Sequence, residues 1–214
     1  VPLSNCWRTT DDISNTWDSM IQRAVLNDAY AEIAGPGAFN DPDMLEVGNF
    51  YDPHVGVAEG RTQMSLWSVM KAPLLIGTDL TIATAETIII LGNKHAIGIN
   101  QDALGVQARI VNGTATFVEA DSAHTSAPTP LVWAGPLSKE QKVIAVVNTD
   151  GNSTRNITVN IDKALAEVAL WWTAAPLAVA VEDQHETEYE ALDVWANETR
   201  GPLSGNETFS IGPH

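Results

Sequence analysis

Three times between Ile13 and Leu91 the apolar residues repeat at helical spacing, with a short apolar run in each gap. Past about residue 105 that period disappears and short alternating runs replace it. This change of period is the strongest constraint on the fold, because a helix and a strand bury different sets of positions. Ile13, Trp17, Met20, Ile21, Ala24, Val25 and Ala29 share one face of a helix predicted over residues 14–33. Ser14 is its candidate N-cap and Gly35-Pro36 its stop. Residues 62–70 form a second predicted helix, with Met64, Leu66, Trp67 and Met70 as core residues and Pro73 as the terminator. Residues 84–91 form a third, stopped by Gly92-Asn93, and residues 94–101 read as connective. In the gaps, residues 44–47 alternate as a short strand, residues 48–58 read as a loop, and residues 74–77 form an apolar run of buried-strand type.

Alternation of helix and strand implies a parallel sheet covered by helices. Two or three such strands are too few to close a barrel. From residue 109 the chain alternates in part, and strands are predicted over 131–134, 142–147, 157–161 and 170–172. Residues 175–181 and 209–211 add two candidates, and Gly, Asn, Asp, Ser and Pro punctuate the series. That pattern reads as an antiparallel β-sandwich. The expected organisation is therefore α/β over residues 1–103 and all-β over residues 104–214. The acidic run 182–190 reads as a solvated face or loop.

Eleven Lys and Arg stand against 27 Asp and Glu, a formal charge of −16. That argues against nucleic acid and anionic membrane as partners, since both require clustered cations. No apolar run reaches the length of a membrane span. With one cysteine, Cys6, no internal disulfide can form, and a free, partly buried thiol is expected. Asn112, Asn152, Asn156, Asn197 and Asn206 each open an N-x-S/T sequon, which points to a glycosylated, secreted protein. His54 and His95 are isolated, and no His/Cys/Asp/Glu spacing indicates zinc.

The chemistry concentrates in Asn40-Asp41-Pro42-Asp43-Met44. Asx-Pro bars a helix through Asp41, so the carboxylates sit near the end of an element, where side chains can point into a cleft. An Asx-turn, with Asn40 and Asp41 bonding their own backbone, is the plainer explanation of the same residues. Two other blocks change the balance. Trp7-Arg8-Thr9-Thr10-Asp11-Asp12-Ile13 precedes the cluster, and residues 59–80, containing Gln63-Met64-Ser65-Leu66-Trp67 and Lys71-Ala72-Pro73-Leu74, follow it. In this order and spacing the three blocks resemble the α-galactosidases and α-N-acetylgalactosaminidases of glycoside hydrolase family 27. The likeness is strong over the first half of the chain and weaker over the second.

The resemblance implies that residues 1–103 are the last strands of a (β/α)8 barrel, and that residues 104–214 are its β-sandwich. It implies Asp12 as general acid/base, Arg8, Asp43 and Met44 as substrate-binding residues, and no metal or organic cofactor. It also implies that the nucleophilic Asp lies on an earlier strand, upstream of Val1. An N-terminal barrel half is then the expected partner, an α-galactoside the expected substrate, and the chain alone is expected to be inactive. The chain starts almost on the Arg8–Asp12 motif, and in the family one more apolar strand usually follows a sequence like its C-terminus. Both ends therefore read as cut from something longer. Taken without the resemblance, Asp12 reads as a helix-capping carboxylate. Asp11 departs from the small residue common in the family, and is expected to point away from Asp12. Trp133, Trp171, Trp172 and Trp195 read as core more than as sugar platforms. An α-N-acetylgalactosaminidase, a related pyranosidase and a non-catalytic carbohydrate-binding module remain as alternatives.

Overall fold

The computed structural model describes residues 4–50, 56–111, 115–117, 130–172 and 188–213. Strand β1 (Cys6–Arg8) pairs in parallel with β2 (Phe39–Asp41), Trp7 opposite Asn40. Helix α1 (Trp17–Asp28) connects them and is followed by a single helical turn, Ala31–Ile33. Its core face is Met20, Ala24 and Asn27, all fully buried, while Val25 on the predicted face is exposed. The helix starts two residues later than expected. Thr16, not Ser14, is extended at the N-cap and accepts from the Ser19 amide. Between β2 and residue 105 the described residues give one further bridge, Leu45 pairing in parallel with Ile76. The expected strand over 44–47 thus contracts to that bridge, and the regular strand, β2, runs into the acidic cluster and ends at Asp41. Gly48, at φ +91, ends the run in a conformation open to glycine.

Helix α2 (Gly56–Val69) begins inside the expected loop and ends before Pro73, with Lys71 left-handed at φ 57. Met64, Leu66, Trp67, Val69 and Met70 are buried, as their spacing predicts. The apolar run at 74–77 is not a buried strand: Leu75 is 56% and Ile76 47% exposed. The run is hydrogen-bonded to Leu45 on one edge, and among the described residues only Leu74 of its side chains packs against the core. Helix α3 (Ala85–Leu91) matches expectation and is capped by Thr84. The stretch read as connective is helix α4 (Lys94–Asn100), because Asn93 accepts from the amides of His95 and Ala96 and starts a new helix.

Among the described residues the second half holds two three-stranded antiparallel sheets. One orders β3 (Arg109–Ile110), β5 (Leu131–Pro136) and β6 (Lys142–Val147). In the other, β7 (Arg155–Asn160) lies between β4 (Ala115–Phe117) and β10 (Asn206–Ile211). A hairpin of β8 (Tyr189–Asp193) and β9 (Glu198–Leu203) stands apart. The strand expected at 170–172 is the end of helix α5 (Ile161–Trp172). Ile161, Ala164, Leu165 and Val168 are buried at helical spacing, and Asn160 accepts from the Lys163 amide to cap the helix. Residues 175–181, and 182–187 of the acidic run, lie outside the described residues.

Strand β5 is apolar at nearly every position because both its faces are covered. Val132 and Ala134 join Ile157, Val159 and the α5 residues in one cluster. Trp133 joins Met64, Trp67 and Met70 in the other. The sandwich is therefore packed on α2 through Trp133, which is core, as expected for the tryptophans. Trp171 and Trp195 are half-buried, with Arg109 over the first ring and Arg61 over the second.

Candidate active site

Parallel strands aim their C-terminal ends the same way, and ligand sites in α/β folds gather there. Arg8 closes β1, and Asp43 stands two residues past the end of β2. The two meet: Arg8 Nη2 is 2.5 Å from Asp43 Oδ2, and the same Nη2 is 3.1 Å from Asp12 Oδ1. One guanidinium nitrogen thus joins carboxylates that are 31 residues apart in sequence. Charge-assisted bonds of this kind are the stronger class. The rest of the Arg8 fork makes no hydrogen bond among the described residues, which leaves donors for a ligand.

The two carboxylates have opposite surroundings. The Asp43 side chain is 15% exposed and the Asp12 side chain 101%. Asp43 Oδ2 also accepts from the Ile13 amide at 2.8 Å, and Oδ1 from the Met44 amide at 2.8 Å. Its backbone is left-handed, φ 99, a costly state for a residue with a Cβ. Two contacts hold it there: Asp41 Oδ1 accepts from the Asp43 amide at 2.9 Å, and Trp67 Nε1 donates to the Asp43 carbonyl at 2.7 Å. Asp41 thus makes the expected Asx-turn. Asn40 does not: fully within the interior, it donates to Tyr30 O and to Gln107 Oε1.

The register of β1 against β2 is extended by threonines. The Thr9 amide donates to Asp41 O, and the Thr10 hydroxyl to Pro42 O at 3.0 Å. Thr9 Oγ1 is also 2.6 Å from Oδ1 of the buried Asn27. Both ends of the acidic loop are therefore tied to the residues after Arg8. Asp12 does not cap α1, since Thr16 does. Asp11 is exposed and makes no hydrogen bond among the described residues. Met44 is 37% exposed beside Asp43, and Gly77 gives it room: a Cβ there would lie 2.8 Å from Met44 Sδ.

Cys6 is free and exposed, not partly buried, because Trp7 takes the covered position of the short β1. Desolvation, and then the Asp41 carboxylate, raise its thiol pKa. His95 Nε2 is 2.6 Å from Asn197 Oδ1, and His54 lies outside the described residues. Of the sequon asparagines, Asn152, Asn156, Asn197 and Asn206 are exposed, and Asn112 lies outside the described residues. Among the described residues no three His, Cys, Asp or Glu side chains are grouped to hold a metal ion, and no helix is long and apolar enough to cross a membrane. Trp67 was legible only as core. A buried indole N–H needs an acceptor, but nothing local in the sequence pairs it with Asp43, 24 residues earlier.

Two family models match the chain. One, described as alpha galactosidase A, matches residues 2–102; the other, described as alpha galactosidase C-terminal beta sandwich domain, matches residues 129–214. An α-galactosidase of Oryza sativa is 37% identical over 99% of this chain and 42% of its own length. An α-N-acetylgalactosaminidase of Gallus gallus is 40% identical over 98% of the chain and 45% of its own length. The chain thus spans less than half of these curated relatives. The crystal structure of α-galactosidase I from Mortierella vinacea superposes with a TM-score of 0.75 at 24% identity, covering 100% of this chain and 52% of that one. That likeness fixes the fold as the end of a barrel followed by a β-sandwich.

Proposed function

The chain belongs to glycoside hydrolase family 27, and from that premise we propose that it supplies the acid/base half of a retaining α-galactosidase site. The observation that carries this reading is the Arg8 bridge between Asp12 and Asp43 beyond the ends of β1 and β2. Asp12 is the general acid/base: it gives a proton to the glycosidic oxygen as the bond breaks, then takes one from the water that hydrolyses the glycosyl-enzyme. Its full exposure in this chain leaves the carboxyl open to a leaving group and to water. Arg8, Asp43 and Met44 bind the sugar, Arg8 and Asp43 through hydroxyls and Met44 through its apolar edge.

Retention needs a second carboxylate as nucleophile. In this reading it comes from an upstream barrel half, which is the chain's partner. The uncovered apolar side chains Leu75, Ile76, Ile82 and Ile89 are in keeping with such a partner. The unit of residues 1–103 is then the end of the catalytic barrel, and residues 104–214 are a support packed through Trp133. The four exposed sequon asparagines fit a secreted glycoprotein. A preference for N-acetylgalactosamine is the second reading: the Gallus gallus α-N-acetylgalactosaminidase is 40% identical, against 42% for an α-galactosidase of Arabidopsis thaliana at similar coverage.

The test is hydrolysis of aryl α-galactosides and α-N-acetylgalactosaminides by the whole protein, with product anomers followed by NMR. Retained α-galactose, abolished by Asp12→Asn, is expected, and the 214-residue chain alone is expected to be inactive. Turnover by the isolated chain would sink the split-site reading. Sugar binding without turnover in the whole protein would make it a binding module.

A further inference from the structure

Asp12 lies between β1 and α1 in a stretch without regular secondary structure. Its side chain is fully exposed, so packing does not hold it. Arg8 pairs with its carboxylate at 3.1 Å, and its backbone is held through the peptide that follows. On the carbonyl side, Arg23 of α1 brings Nη2 to 2.9 Å and Nε to 3.3 Å from Asp12 O. On the amide side, Ile13 N donates to Asp43 Oδ2 at 2.8 Å. The Asp12–Ile13 peptide plane is therefore gripped at both ends by charged groups. Arg23 is itself steered, donating from Nη1 to Gln22 Oε1 at 3.0 Å. It also rises from a helix rooted by the buried Met20, Ala24 and Asn27.

We propose that Arg23 is a positioning residue for Asp12: its planar fork closes on the Asp12 carbonyl and sets the backbone from which the exposed carboxyl projects. The inference rests on Asp12 being the acid/base. A Lys cannot reproduce the arrangement, because its single ammonium on a flexible stem does not converge two fixed donors on one oxygen. Arg23 acts through the peptide plane and makes no hydrogen bond to Arg8, Asp43 or Met44 among the described residues.

A misplaced acid harms substrates according to how badly their leaving group needs a proton. The experiment compares kcat/KM, which reports the glycosylation step, for an alkyl and a dinitrophenyl α-galactoside in the whole enzyme carrying Arg23→Met. A loss of about tenfold or more on the alkyl glycoside is expected, a share of the roughly 10²–10⁴ that general acid–base catalysis contributes. The dinitrophenyl glycoside, whose phenolate leaves unaided, should change less than about threefold. Equal loss on both substrates, or no loss on either, overturns the proposal. If the Met variant does not fold, Arg23→Lys gives the same leaving-group dependence at smaller amplitude. An unmodified enzyme without activity, or one indifferent to Asp12→Asn, refutes the acid/base reading before Arg23 is at issue.

Discussion

The indole Nε1 of Trp67 donates to the main-chain carbonyl of Asp43 over 2.7 Å, so a core tryptophan of α2 holds the residue that the Arg8 guanidinium grips from outside. The ring fills the core and the N–H does separate work. Trp67→Phe keeps most of the packing and leaves the Asp43 carbonyl without its donor. It should destabilise the chain by about 1–3 kcal/mol, the cost of an unmade buried hydrogen bond. With one of the two contacts on the left-handed Asp43 gone and only that of Asp41 left, KM for an α-galactoside in the whole enzyme should rise. Urea unfolding and initial rates check both, and an unchanged unfolding midpoint would show that the bond carries nothing.

The periodic parts of the chain were legible because periodicity reports which side is covered. The spacing of Met64, Trp67 and Met70 marks them as core, and the alternation over 142–147 matches strand β6. The errors fell where one local rule hid another. Gly92-Asn93 reads as a stop signal, yet the Asn93 side chain starts α4. Leu170-Trp171-Trp172 looked strand-like, but they finish a helix whose buried stripe begins at Ile161. The apolar run 74–77 predicts burial, and burial needs a neighbour, which among the described residues Leu74 finds in the core but Leu75 and Ile76 do not. As for the site, the roles came from resemblance alone. The contact of Arg8 with Asp43 spans 35 residues, and only the parallel register of β1 on β2 brings it about.

The start of α1 separates two candidates that the sequence left adjacent. Thr16 is at the N-cap and accepts from the Ser19 amide, whereas Ser14 lies two residues outside the helix. Thr16→Ala should cost about 1 kcal/mol, the usual value of a lost cap. Ser14→Ala should fall within about 0.5 kcal/mol of the parent, as surface changes do. Equal effects in chemical denaturation would mean that capping does not depend on Thr16.

Trp133 is fully buried in the cluster that also holds Met64, Trp67 and Met70 of α2. Its neighbours Val132 and Ala134 face the other way, into the sandwich. Trp133→Ala should cost about 3–5 kcal/mol, as for large aromatic truncations. Its mark is location: amide hydrogen exchange should quicken in α2 as well as in β5. Val159→Ala, in the sandwich cluster alone, should leave α2 protection nearly unchanged. Exchange confined to the strands in both variants would show that the sandwich does not brace the helix.

Lys71 ties the same junction to pH. The side chain is buried and left-handed in backbone, and its Nζ donates to the carbonyl of Ile99 in the last turn of α4. Burial lowers its pKa to about 8, against the pull of the Asp102 carboxylate. Asp102 is desolvated as well, yet hydrogen bonds from Ser138 and Leu104 hold it below its ordinary value, so it stays ionised above neutrality. The folded chain therefore binds fewer protons than the unfolded chain from about pH 8 up to the ordinary lysine value of 10.5. Stability from this group must rise with pH through that window, by up to about 1.4 kcal/mol per unit and on the order of 3 kcal/mol in all. The Cys6 thiol, whose pKa is raised in the fold, works in the opposite direction in the same range. A comparison with Lys71→Met cancels that contribution, since both proteins carry Cys6. In denaturation at pH 7.5, 8.5 and 9.5 the parent should gain on the variant by about 2 kcal/mol across the series. A gap that stays constant with pH would mean that the ammonium is not desolvated in the fold.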